Sequence, residues 1–188
     1  MKFNKLFEIQ SGLDYHIVKE KGLKGQDLLD KKILALQVEL GELANEWRGF
    51  KFWSNDQEPR TKEIDYLKLT HDNVEFKNPL LEEYVDCLHF ILSIGLELEI
   101  RPERVVVDSD YTEHTATETF NKMFSFTVYL KESIDYKLYT KDVVENYVSL
   151  VNLFIGLGEE HLGFTWEQIE QAYLDKNKTN HERQLNGY

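Results

Sequence analysis

Apolar residues recur at helical spacing along most of the chain, and the interruptions between these runs mark its joints. Phe3, Leu6, Phe7, Leu13 and Ile17 share one face of a first helix, which Gly22 and Gly25 bring to an end. A second helix is predicted over about 27–47, with Leu29, Ile33, Leu36, Leu40, Leu43 and Trp47 as its stripe. Residues 54–77 are polar and aperiodic, and read as an inserted loop. Asn78 followed by Pro79 signals a helix start, because the asparagine side chain can cap the first turn and proline's missing N–H costs nothing there. The run that follows, LLEEYVDCLHFILSIGLEL, is apolar on most sides and is expected at the centre of the fold.

Beyond Arg101 and Pro102 the pattern weakens. The β-branched run Val105, Val106 and Val107 reads as a short strand. Helices are predicted over about 117–130 and 140–162. The last helix opens on Thr165-Trp166-Glu167-Gln168, a capping box, with Phe164 placed to staple onto Ile169. No internal repeat, low-complexity segment or long linker divides the chain. The expected architecture is one all-α domain over residues 1–188, a bundle of about six helices with a polar inserted loop.

Composition narrows the function. With 22 basic against 34 acidic residues the net charge is −12, which argues against binding nucleic acid through its phosphates. A single cysteine, Cys87, excludes an internal disulfide framework and any multi-cysteine metal site, and suits a reducing compartment. No apolar run approaches the roughly 18 residues of a membrane span, so a protein of cytoplasmic type, with no membrane partner, is expected. The acidic excess is either a solvated surface or a carboxylate cluster that takes cations.

The stretch LALQVELGELANEW sets Glu39 and Glu42 three residues apart among Leu36, Val38, Leu40, Leu43 and Ala44. Two like charges on one helix face cost about 0.2–0.5 kcal/mol when exposed, and more when buried. The central helix repeats the feature with Glu83 and Asp86. In so acidic a chain one such pair is weak evidence. Two pairs on two apolar helices, brought face to face, would gather these carboxylates in one cleft, and carboxylate oxygens suit Mg²⁺ or Mn²⁺. Two solvated helix edges are the competing explanation.

A second polar surface bears on the choice. Tyr173, Lys176, Asn177, Asn180, Arg183 and Gln184 follow the 3, 4, 7 spacing and share a face of the last helix. They are mostly hydrogen-bond donors, as phosphate oxygens require. A solvated helix end is again the plainer explanation. A metal nest facing donors of this kind describes a phosphate ester held between a cation and Lys or Arg.

With these pairs, and with FEIQSGLD near the start, FKFW after the first pair and KNKTNHERQLNGY at the end, residues 10–188 resemble the dimeric all-α dUTPases of the MazG-like nucleotide pyrophosphatase superfamily. The forms of Gram-positive bacteria and their phages are the most similar, and residues 54–77 and 101–118 are less recognisable. The resemblance implies a homodimer that hydrolyses dUTP, with dUDP as a further candidate substrate, to dUMP and pyrophosphate. It implies Mg²⁺, with Mn²⁺ as a substitute, bridging Glu39, Glu42, Glu83 and Asp86 to the triphosphate, and Glu42 orienting or deprotonating the water that attacks the α-phosphorus. Gln10 would read the uracil edge, with Asp14 one turn away, and Trp47 or Trp53 would pack against the base. Lys51, Lys176, Asn180 and Arg183 would bind phosphate oxygens and Asn177 would reach the nucleoside. His89, one turn past Asp86, is read as a satisfied core histidine, and Cys87 as a small buried hydrophobe. A pyrophosphatase for dCTP or a damaged nucleotide stays open, as does a non-catalytic nucleotide-binding regulator with a protein partner. The complete acid set favours an enzyme.

Overall fold

The computed structural model describes residues 3–66, 70, 74–107, 111–136 and 140–187. Helix α1, Phe3–Glu20, buries Phe3, Leu6, Phe7, Gln10 and Leu13. It stops where Gly22 takes φ +64°, and the bonds Gly22 N–H to Lys19 O and Leu23 N–H to Val18 O close a Schellman motif. Helix α2, Leu29–Trp47, buries Ile33, Leu36, Leu40 and Leu43, with Asp27 Oδ1 accepting from the Leu29 N–H at its start. It ends on Arg48, whose positive φ turns the chain away. The Arg48 guanidinium then fastens the following loop through Asp56 Oδ2 at 2.9 Å.

Residues 54–77 contain more order than their composition suggests. Glu63–Ile64 (β1) pairs antiparallel with Phe76–Lys77 (β2), Glu63 opposite Lys77. Residues 67–69 and 71–73 of this segment lie outside the described residues. The backbone of Arg60 ties the insert to both neighbouring helices, donating to Glu46 O and accepting from Leu80 N–H.

Helix α3, Pro79–Glu97, is capped as expected by Asn78, whose side chain accepts from the Leu81 N–H at 3.1 Å. It packs on α2, α1 and α6, so it is the central helix. Residues 105–107 form no strand. Pro102–Arg104 is a 3-10 turn, the N–H groups of Val105 and Val106 bond within the turn, and Val106 is 70% exposed, so no strand edge is offered. The β-branched preference loses because no strand lies beside it among the described residues.

Helix α4, Ala116–Asp135, extends beyond the predicted span at its C-terminal end and opens on a capping box between Thr115 and Glu118. Helix α5, Thr140–Gly156, passes into a π-helical turn at Leu157–His161, where Gly158 lies so close to the Tyr84 ring that a β-carbon would collide with it. Helix α6, Trp166–Leu185, has the predicted capping box of Thr165 and Gln168, and both Phe164 and Ile169 are buried in the common core. One apolar cluster joins residues from all six helices.

Candidate active site

The packing of α2 on α3 fixes the acidic site. Glu39 projects from α2 and Glu83 and Asp86 from α3, one turn apart, and the three carboxylates offer oxygens within 4.8 Å of one another. All three are half-buried. Partial burial, then the charges of Asp86 and Glu42, push the Glu39 carboxyl up from the usual 4.5 to about 7, against the pull of Lys176. Burial, then Asp86, Glu39 and Glu42, raise Glu83 to about 7 in the same way. Asp86 is raised chiefly by burial, although the Lys176 ammonium is paired with its Oδ2 and Arg183 also draws it down. Glu42, three residues beyond Glu39, is exposed at the rim and acts on all three electrostatically. Like charges crowded in this way need positive charge, and the geometry and oxygen donors fit a hard divalent cation. Cys87, fully buried between these acids with its thiol pushed well above the usual range, is no nucleophile.

Beside the acids a cavity of about 430 Å³ opens between α1, α2, α3 and α6. Its volume lies in the range of small-molecule sites. Glu39, Asp86, Asn180 and Arg183 line it together with Gln10 and Asp14, so the acidic cluster and the residues expected at the base share one space. Its apolar wall includes Ile17, Leu28 and Phe90. At the α1 side, Asp14 Oδ2 accepts from Ser93 Oγ at 2.6 Å and from Lys32 Nζ at 3.3 Å, and Lys32 also reaches Glu97 at 2.7 Å. Gln10 is held by Asp14, Tyr173 and His89.

Other candidates lie elsewhere. Trp47 packs on Phe120, ring centroids 5.3 Å apart, and does not line the cavity. Trp53 is 65% exposed on the loop after α2, edge-on to Phe50 and Phe52. Lys51 reaches back to Asn45 O at 3.4 Å. Asn177 is buried, with its Nδ2 unpartnered among the described residues. Arg183 also lines a second cavity of about 560 Å³ between α6, α3 and the hairpin, together with Lys176, and that cavity lacks the acidic cluster.

Sequence reasoning passed over Lys32, Ser93 and Phe90. It also took His89 as satisfied, although its Nε2 is buried without a partner among the described residues. The spacing Asp86 to His89, one turn on the same helix, was the available signal.

Among the described residues no helix is long and apolar enough to cross a membrane. An alignment of 88 positions that covers 40% of this chain is 33% identical to cytadherence high molecular weight protein 2 of Mycoplasma genitalium and spans only 5% of that protein, so nothing of that protein's role transfers. The dUTPase family profile, by contrast, matches residues 2–188, essentially the whole chain. With an all-α fold and an acidic cluster opening into a nucleotide-sized cavity, the chain belongs to the dUTPase family of the all-α type, enzymes that hydrolyse dUTP.

Proposed function

We propose that the chain converts dUTP to dUMP and pyrophosphate by attack of water on the α-phosphorus, with Mg²⁺ held by Glu39, Glu83 and Asp86 and by Glu42 at the rim. The observation that carries this is the convergence of three carboxylates, two of which, Glu39 and Asp86, line the same cavity as Gln10 and Asp14. A cation bound there supplies positive charge to the triphosphate and to the departing pyrophosphate. Glu42, exposed beside the cluster, takes the proton of the attacking water. Lys176, Asn180 and Arg183 bind phosphate oxygens from α6, and Gln10 meets the base. Leu34 and Val38 on α2 and Val128 and Tyr129 on α4 leave apolar surface on two helices that pack together, which supports a homodimer. The single free cysteine supports a reducing, cytoplasmic setting.

Pyrophosphate release from a panel of nucleoside triphosphates, with Mg²⁺ and with chelator, tests the proposal. Turnover of dUTP that requires Mg²⁺ and exceeds that of dCTP is expected. Equal turnover of dCTP favours a broader pyrophosphatase. No turnover of any nucleotide sinks the catalytic reading.

A further inference from the structure

Gln10, only 2% exposed, lines the cavity with its amide held by three groups. Its Nε2 donates to Asp14 Oδ1 at 2.7 Å, while its Oε1 meets the Tyr173 hydroxyl at 2.8 Å and His89 Nδ1 at 2.7 Å. The Asp14 carboxylate can only accept, so the amide nitrogen must face it and the amide oxygen must face the other two. An amide oxygen also only accepts. His89 Nδ1 therefore carries the ring proton, and Nε2 is left bare, in accord with its lack of a partner among the described residues. Both lone pairs of Gln10 Oε1 are then taken, and the second N–H is the one hydrogen-bonding group that Gln10 retains for a ligand.

We propose that His89 is a positioning residue for base selection. Its Nδ1–H, with the Tyr173 hydroxyl, fixes the Gln10 amide so that it presents a donor and no acceptor to the cavity, selecting a base edge with a carbonyl oxygen, as in uracil, over one with an amino group, as in cytosine. The inference rests on the dUTP reading above and deepens it. The ring is suited to the task. It is 6% exposed and stacks on Tyr173 with centroids 4.3 Å apart, so it cannot turn away. Burial, with a contribution from Lys176, lowers its pKa from the usual 6.5 to about 3, so the same neutral tautomer persists at working pH. Without the Nδ1–H the amide is held by Asp14 and the Tyr173 hydroxyl alone, so its oxygen keeps a free lone pair, its donor is aimed less firmly, and the penalty of two opposed donors against the wrong base weakens.

The test compares kcat/KM for dUTP and dCTP in wild type, Gln10→Ala, His89→Phe and His89→Asn. Phenylalanine keeps a flat ring on Tyr173 and removes the donor; asparagine returns an N–H at the Nδ1 position. The preference for dUTP should fall about tenfold or more in His89→Phe, mainly through KM for dUTP, and recover in His89→Asn. An unchanged preference in His89→Phe overturns the proposal while leaving dUTP hydrolysis standing, and so does a preference that survives Gln10→Ala. A wild type inactive on dUTP sinks the underlying reading instead. The ¹⁵N shifts of the His89 ring in the unmodified protein give a check that needs no variant: protonation at Nδ1 is expected, and protonation at Nε2 overturns the assignment.

Discussion

Glu83→Gln should make the protein more stable without cation and less stable with it. Burial, then the charges of Asp86, Glu39 and Glu42, raise the Glu83 carboxyl from 4.5 to about 7. A folded-state pKa above the unfolded one means that the native protein binds protons more tightly between these values, so stability falls as pH rises from about 4.5 to 7 and the full penalty stands at pH 8. A shift of that size corresponds to at most about 3 kcal/mol. Glu83 is only about half buried, and solvent screening reduces the figure. It also shares its repulsion with Glu39, so the two cannot be summed. About 1 kcal/mol remains, which for a chain of 188 residues raises Tm by about 2–4 °C. Thermal melts in chelator at pH 8 and pH 5 read this directly, and the advantage of the variant should shrink at pH 5, where the wild-type carboxyl is protonated. Adding Mg²⁺ at about a hundredfold over its Kd should stabilise wild type by about 2.7 kcal/mol and the variant far less. A variant that melts at or below wild type in chelator at pH 8, or that gains as much from Mg²⁺, refutes the idea of a strained carboxylate cluster held ready for a cation.

Three further outcomes follow from the same geometry. Glu42→Gln should lower turnover by about 10²–10⁴-fold with little change in the chelator melt, since the side chain is exposed; normal turnover removes it from proton transfer. Hydrolysis in H₂¹⁸O should place the label in dUMP, read by mass spectrometry, and label in pyrophosphate would move the attack to the β-phosphorus. His89, with its folded pKa depressed to about 3 by burial, should cost wild type about 3 kcal/mol relative to His89→Phe as pH falls from 6.5 to 4; parallel stability curves for the two proteins over that window contradict the buried neutral ring.

Periodicity made much of this legible. Tyr173, Lys176, Asn177, Asn180, Arg183 and Gln184, grouped by spacing alone, are the buried and half-buried face of α6, because helical geometry fixes which residues share a side. Asn78 and Thr165 cap as their chemistry dictates. What stayed hidden depends on partners. β1 and β2 are two residues each, too short to show alternation, and exist because the insert folds back across α2 and α3. The valine run at 105–107 had the right residues for a strand but no strand beside it among the described residues. Spacing likewise put Glu39 and Glu42 on one face, yet only the packing of α2 against α3 decides that Glu39 is drawn in and Glu42 left at the rim.

The site also explains why the most buried helix carries charge. Glu39, Asp86, Gln10 and Asn180 come from four helices, and α3 is the element that touches the other three, so any group that must meet all of them has to project from it. That position forces Glu83, Asp86 and His89 into partial or full burial, and each responds as burial requires: the acids are raised, and the imidazole is lowered. The apolar face of α3 meanwhile holds Tyr84, Leu88, Ile91 and Leu92 in the common core. Stability and chemistry are thus divided by rotation about one helix axis. A one-residue register change, by an insertion before Glu83, would turn the acids by about 100° out of the cavity and the leucines out of the core together, so fold and activity should be lost at once rather than in turn.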